Sequence, residues 1–227
     1  MQVRQTSATV VLLGNFNPLI FHPEWLRSKG IIGAQEADAA IQSGIEVMTP
    51  DISIINLSSM RVVIETQRMI VSAQEDPLIR AKDFVVGSFT ILEHTPVSAL
   101  GINYEVTYLA ANRAQWDELG DRLAPKGPWE SLLSLSQSKN KSERTGGLRA
   151  ITMELSVRPD GMPGYIRVTA EALQDDTYST KIGVNDHYYL ASKGNVPPAL
   201  TAVKTIDENW EKSMQRAAVF TNSIVAP

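Results

Sequence analysis

A chain of 227 residues, 43% apolar and 20% charged, has enough material for one large domain or two small ones around a proper core. Its formal net charge of -4 sets up no field that would draw nucleic acid or an anionic membrane. With no cysteine, disulfides, thiolate nucleophiles, Cys-ligated zinc and iron–sulfur clusters are excluded. Residues 1–20 lack a basic start followed by a long apolar run, and no stretch approaches the roughly 20 apolar residues that cross a bilayer. The expectation is a soluble, cytoplasmic protein.

In chain order, Thr9 to Leu13 reads as a short apolar strand that ends at Gly14-Asn15-Phe16-Asn17-Pro18. Phe21 to Leu26 reads as a short helix with Pro23 in its first turn, and Gln35 to Gln42 as a second with Ala37, Ala40 and Ile41 inward. Ile52 to Leu57, Met60 to Thr66 and Arg68 to Ala73 are three Ile/Val-rich strands with very short connections. A long helix over residues 77–93 follows, capped by Asp76, with Leu78, Ala81, Val85, Phe89 and Leu92 at helical spacing.

Leu100 to Tyr108 reads as a strand, and Asn112 as the cap of a helix carrying Trp116, Leu119 and Leu123. Residues 125–147 are polar and loop-like, and Lys139 to Gly147 reads as the most mobile internal segment. Ile151, Met153, Leu155 and Val157 alternate with Thr152, Glu154, Ser156 and Arg158, which predicts a strand with one buried face and one wet face. Pro159-Asp160-Gly161 turns it into a partner strand with Ile166, Val168 and Ala170 inward. A strand centred on Asp186 follows, then a long helix from about Pro198 with Val203, Ile206, Trp210, Met214, Ala217 and Ile224 on one side.

Residues 9 to 94 and 100 to 224 share one order: a strand, short helical material, three strands, then a long helix. The expected fold class is therefore α+β, with two similar halves (1–98 and 99–227), each a mainly antiparallel sheet covered by one long helix.

The Asp186 strand carries the strongest site signal. Asp186 shares a face with Ile182, Val184, Tyr188 and Leu190, so its carboxylate needs a hydrogen-bond donor or cation. His187 points to the opposite face with Asn185 and Tyr189, which opposes an Asp–His dyad and suits a contact surface. Asn103 lies on a comparable polar face with Glu105 and Thr107, so polar rows from both halves could converge. His22, His94 and His187 show no metal-ligand spacing, and no phosphate-binding loop or nucleophile elbow is present. No catalytic residue, cofactor or metal is therefore assigned. The binding candidates are Asp186, His187, Asn185, Asn103 and His22.

Leu100-Gly101-Ile102-Asn103-Tyr104 after a long helix, and Asn185-Asp186-His187-Tyr188 before a final helix, resemble an uncharacterised, sporadically distributed family of bacterial proteins with no assigned reaction. In that family an arginine usually stands at the position of Asn103, and His187 also departs from the usual residue. The resemblance implies mobile-element or defence-associated occurrence and carries no catalytic residues. Two functional readings follow. One is a non-enzymatic interaction or accessory protein with a protein partner or self-association. The other is a small-ligand-binding protein or hydrolase whose groove between the halves uses Asp186 with a histidine.

Overall fold

The computed structural model describes residues 1–135, 147–173, 178–192 and 194–226. They build an α+β fold around a nine-stranded antiparallel sheet in the order β2-β3-β4-β5-β1-β6-β9-β8-β7. The strands are β1 (Gln2–Gly14), β2 (Ile45–Met48), β3 (Ile52–Leu57), β4 (Met60–Glu65), β5 (Arg68–Ala73), β6 (Val97–Leu109), β7 (Ala150–Leu155), β8 (Gly164–Ala172) and β9 (Ser179–Tyr189). Two long strands, β1 and β6, pair antiparallel at the centre and make the sheet continuous. β1 pairs with β6 from Gln2 to Gly14 but with β5 only over Ala8 to Leu13, and it is there that its alternate residues are fully buried.

The alternation read from the sequence fixes the faces. Ala8, Val10 and Leu12 of β1, Leu100 and Ile102 of β6, and Val71 and Val62 of β5 and β4 all point to one side and are buried. On that side lie α3 (Arg80–Ile91) and the 27-residue α6 (Ala199–Val225), packed against each other and over the central strands. The same side of β3 and β4 is roofed by residues 18–44, comprising a 3-10 turn, α1 (Pro23–Ser28), α2 (Ala34–Ala39) and a short π segment. Phe21, Leu26, Ile32, Ala37 and Ala40 join Ile55, Val62, Phe89, Leu100, Tyr188 and Trp210 in one core. The opposite side of the sheet carries no helix among the described residues.

Several expectations need correction. The helix at 77–93 is shorter, and its first turn is not capped by Asp76: Ile79 occupies the cap position with no side-chain bond. Ile41, read as inward on its helix, is 44% exposed because the chain relaxes into the π segment and rotates that face outward. β2 has no counterpart in the sequence pattern, since it is only four residues long.

The largest error concerns β7. Met153, Leu155 and Val157, expected as a buried face, are 68%, 50% and 79% exposed, and Arg158, expected on the wet face, is buried. Among the described residues β7 is an edge strand, and α6 packs mainly over β6 and β9. α4 (Arg113–Leu123) forms as expected, with Asn112 Oδ1 accepting the Gln115 amide at 3.0 Å, and it is followed by the single turn α5 (Glu130–Leu133). The segment Lys139 to Gly146 and part of the turn at 175–180 lie outside the described residues.

Candidate functional site

β9 carries two different environments on its two faces. Toward α6, Asp186 is 2% exposed and its carboxylate is fully engaged. Ser213 Oγ donates to Oδ2 at 2.7 Å and Arg216 Nη1 to the same oxygen at 2.6 Å, while Arg158 Nη1 donates to Oδ1. Ser213 and Arg216 stand three residues apart on α6, so one helical face delivers both donors.

Arg158 arrives from the turn after β7. Its Nε and Nη2 bond both oxygens of Asp160, at 3.1 and 2.6 Å, and its guanidinium carbon sits 3.7 Å from the centre of the Tyr188 ring. Its Nη1 also reaches the carbonyls of Tyr165 and His187, at 3.4 and 3.2 Å. Burial by itself would lower the Arg158 pKa, but bonds to Asp160 and Asp186 outweigh it and hold the group raised and charged. The Arg158 bonds lower the Asp160 pKa against a smaller opposing push from burial. Two arginines thus balance two aspartates, and the network is electrically neutral.

The turn that positions Arg158 is specified locally. Asp160 Oδ1 accepts the Met162 amide at 3.1 Å, Gly161 adopts a φ of +72°, and Gly161 N donates to the Arg158 carbonyl at 3.1 Å. Gly164 then starts β8 at a φ of +147°, and a Cβ there would stand 1.9 Å from the His187 carbonyl oxygen. No other residue can take its place without moving β9.

On the helix-free face, Asn185 is the cross-strand neighbour of both Asn103 and Arg167, and His187 of Gly101 and Tyr165. The His187 and Tyr165 rings stack at 4.6 Å, and Tyr189 meets His187 edge-on at 4.9 Å. Arg167 lies 4.6 Å over the Tyr165 ring and forks onto Glu154 Oε2 at 3.0 and 2.7 Å. Asn103 Nδ2 donates to the Thr9 carbonyl at 3.1 Å, whereas the buried Asn185 Oδ1 accepts no bond. The His187 pKa is lowered, first by burial and then by the nearby charges of Arg167 and Arg158, so its imidazole is neutral at pH 7.

Of the residues singled out in the sequence, Asn103, Asn185 and His187 therefore come together on one face. Asp186 is adjacent in sequence but lies beneath them on the other face. His22 is not part of this group: it caps α1, with Nδ1 accepting the Glu24 amide at 3.2 Å. His94 is exposed beside Glu93. Arg158, Arg216, Ser213, Tyr165 and Arg167 were not identified as site residues from the sequence. The demand of Asp186 for a cation was legible, but several arginines could have met it.

Among the described residues no group of three or more His, Asp or Glu side chains is placed to hold a metal ion. No described helix is long and apolar enough to cross a membrane. The chain matches no protein-family model and is similar in sequence to no curated protein.

Proposed function

We propose that this is a non-enzymatic interaction or accessory protein that receives a protein partner on the helix-free face of its sheet. The contact would centre on Tyr165, Arg167, His187 and Tyr189, with Asn103 and Asn185 beside them. The observation that carries this reading is the ring cluster itself. Tyr and Arg side chains stand in contact on the face that carries no helix among the described residues, on strands whose backbone is pinned from below by the Arg158–Asp186 network. Such residues dominate binding energy at interfaces, and prior ordering lowers the entropy lost on association.

The alternative use of Asp186 as a working carboxylate with a histidine gains no support from this geometry. Its oxygens are occupied by two arginines and a serine, and the His187 ring lies across the sheet.

Two halves related by duplication are part of the same proposal. Reading outward from the central pair, β1-β5-β4-β3 and β6-β9-β8-β7 repeat one order, each run followed in the chain by a helix. In this reading the helix-free face spans both halves; the cytoplasmic setting rests on the composition, and the mobile-element or defence-associated setting on the family resemblance alone.

The test is capture of a partner by the wild-type chain, repeated with Tyr165→Ala, His187→Ala and Tyr189→Ala. The reading requires a partner whose affinity falls by tenfold or more in at least one variant while exposed substitutions elsewhere, such as Ile91→Ala, leave it unchanged. A partner bound equally by all three variants would overturn it.

A further inference from the structure

The two edges of the sheet are built differently. β2 is four residues long, its register against β3 shifts between Ile45 and Val47, and it carries Glu46, paired to Arg61 at 2.8 Å. Short length, irregularity and charge are the devices that keep an edge from pairing. β7 is longer and regular, and its one charged residue, Glu154, is paired to Arg167 at 2.7 Å. Its six residues pair with β8 in unbroken register and contain no proline or lysine.

The Ala172 amide donates to the Arg149 carbonyl at 3.0 Å, so odd-numbered residues exchange hydrogen bonds with β8. The amides and carbonyls of Ala150, Thr152 and Glu154 are thereby aimed outward. Beside this edge lies a groove of about 400 Å³ on the helix side, walled by Ile151, Met153 and Leu155 of β7 and by Val168, Phe220 and Ile224.

We propose that β7 is the self-association edge of the protein, pairing antiparallel with β7 of a second copy about a two-fold axis through Met153. The occupant follows from the sequence of the edge. Ile151-Thr152-Met153-Glu154-Leu155 reads apolar–polar–apolar–polar–apolar in both directions, so it complements itself. With Met153 opposite its own copy, Ile151 faces Leu155 of the second chain on the groove side, and Thr152 faces Glu154 on the other.

No like charges then stand directly opposite, and Glu154 is already neutralised by Arg167 at 2.7 Å. The outward groups of Thr152 and Glu154 meet as hydrogen-bonded pairs, while Met153 falls in the closer, non-bonded position. Met153, Leu155 and Val157 are all half exposed or more, so each copy offers an apolar strip there. The strand backbone and both groove walls add to this, and about 600 Å² per partner is the lower limit of a specific interface. The two grooves become one covered apolar layer, and the two sheets become continuous.

Sedimentation across a concentration series, with residue-resolved amide exchange on the same samples, tests this. The expected result is a concentration-dependent dimer in which the Ala150, Thr152 and Glu154 amides gain at least tenfold protection, while those of Ile151 and Met153 do not change. Thr152→Pro removes one outward donor without touching the β8 ladder, and Met153→Lys sets two cations face to face on the axis. Met153 is largely exposed, so both variants should keep the wild-type fold and melting temperature while the dimer weakens at least tenfold. A monomer at every concentration, outward amides already protected in the monomer, or survival of the dimer in either variant would overturn the proposal.

Discussion

Replacing Asp186 should cost more than any other single polar substitution described above. Its carboxylate is the anion on which Arg158 and Arg216 converge, and the Arg158 side chain has no exposure to solvent. Asp186→Ala removes that anion and leaves Arg158 with Asp160 alone, inside a shell formed by Tyr188 and the carbonyls of Tyr165 and His187. Breaking one member of a buried pair in this way costs about 3–5 kcal/mol.

Asp186→Asn should cost nearly as much. Donors approach both oxygens, so an amide NH2 must point at a guanidinium whichever way it is turned. Arg216→Met should be milder, because Asp186 keeps Ser213 and Arg158, and Arg216 is itself 20% exposed. The assay is urea denaturation. With a slope of about 3 kcal/mol per molar, Asp186→Ala should lower the midpoint by roughly 1–1.7 M. Adding Arg158→Met to Asp186→Leu should recover part of the loss, since an apolar pair leaves no stranded charge. A midpoint change below about 0.3 M for Asp186→Ala, equivalent to about 1 kcal/mol, would refute the reasoning.

Gly164→Ala should destabilise by at least about 1–3 kcal/mol, because both its φ and the His187 carbonyl forbid a Cβ; an unchanged melting temperature would contradict this. Trp210→Ala, at a site 2% exposed in the core, should cost about 3–5 kcal/mol by the same denaturation assay. His187 gives a pH signature. Its folded pKa lies below the ordinary 6.5, so the unfolded chain takes up a proton first as pH falls, and stability is lost from about 6.5 downward to the folded value. His187→Phe should abolish that part of a melting profile. The loss tied to Asp160, whose pKa lies below the ordinary 3.8, should remain at more acid pH, as its stabilisation is complete only above 3.8.

The parts of this fold that were legible in the sequence are those governed by local periodicity. The strands at 52–57, 60–65 and 68–73 fall within a residue of expectation, since alternation over three consecutive strands admits one register per face. The burial of Ile206, Trp210 and Ala217 along α6 followed from helical spacing in the same way. β7 failed for a reason that periodicity cannot carry. Alternation shows that Ile151, Met153 and Leu155 share a face, but not whether anything lies over it. Arg158 failed for a related reason: it stands beyond the end of β7 at Leu155, where the chain turns at Pro159-Asp160-Gly161 and swings the arginine beneath β9. The need for an Asp186 counterion was local information, whereas the choice among arginines depended on two elements 28 and 30 residues away.

β9 couples the two faces of the sheet, and this gives the buried network a role beyond stability. Arg158 bonds the carbonyls of Tyr165 and His187 as well as Asp186, and those two residues carry the stacked rings on the opposite face. The guanidinium therefore ties β8 to β9 at the level of the ring pair, and Gly164 lets the strands approach there. Rings held by packed neighbours and a fixed backbone lose little freedom when a partner arrives. An Arg158→Lys variant separates this role from simple charge balance. A lysine can satisfy Asp186 but cannot fork onto Asp160 and also span both carbonyls. The stacked rings should then broaden in NMR spectra and the amides of His187 and Tyr165 exchange faster, even under conditions where the variant remains folded.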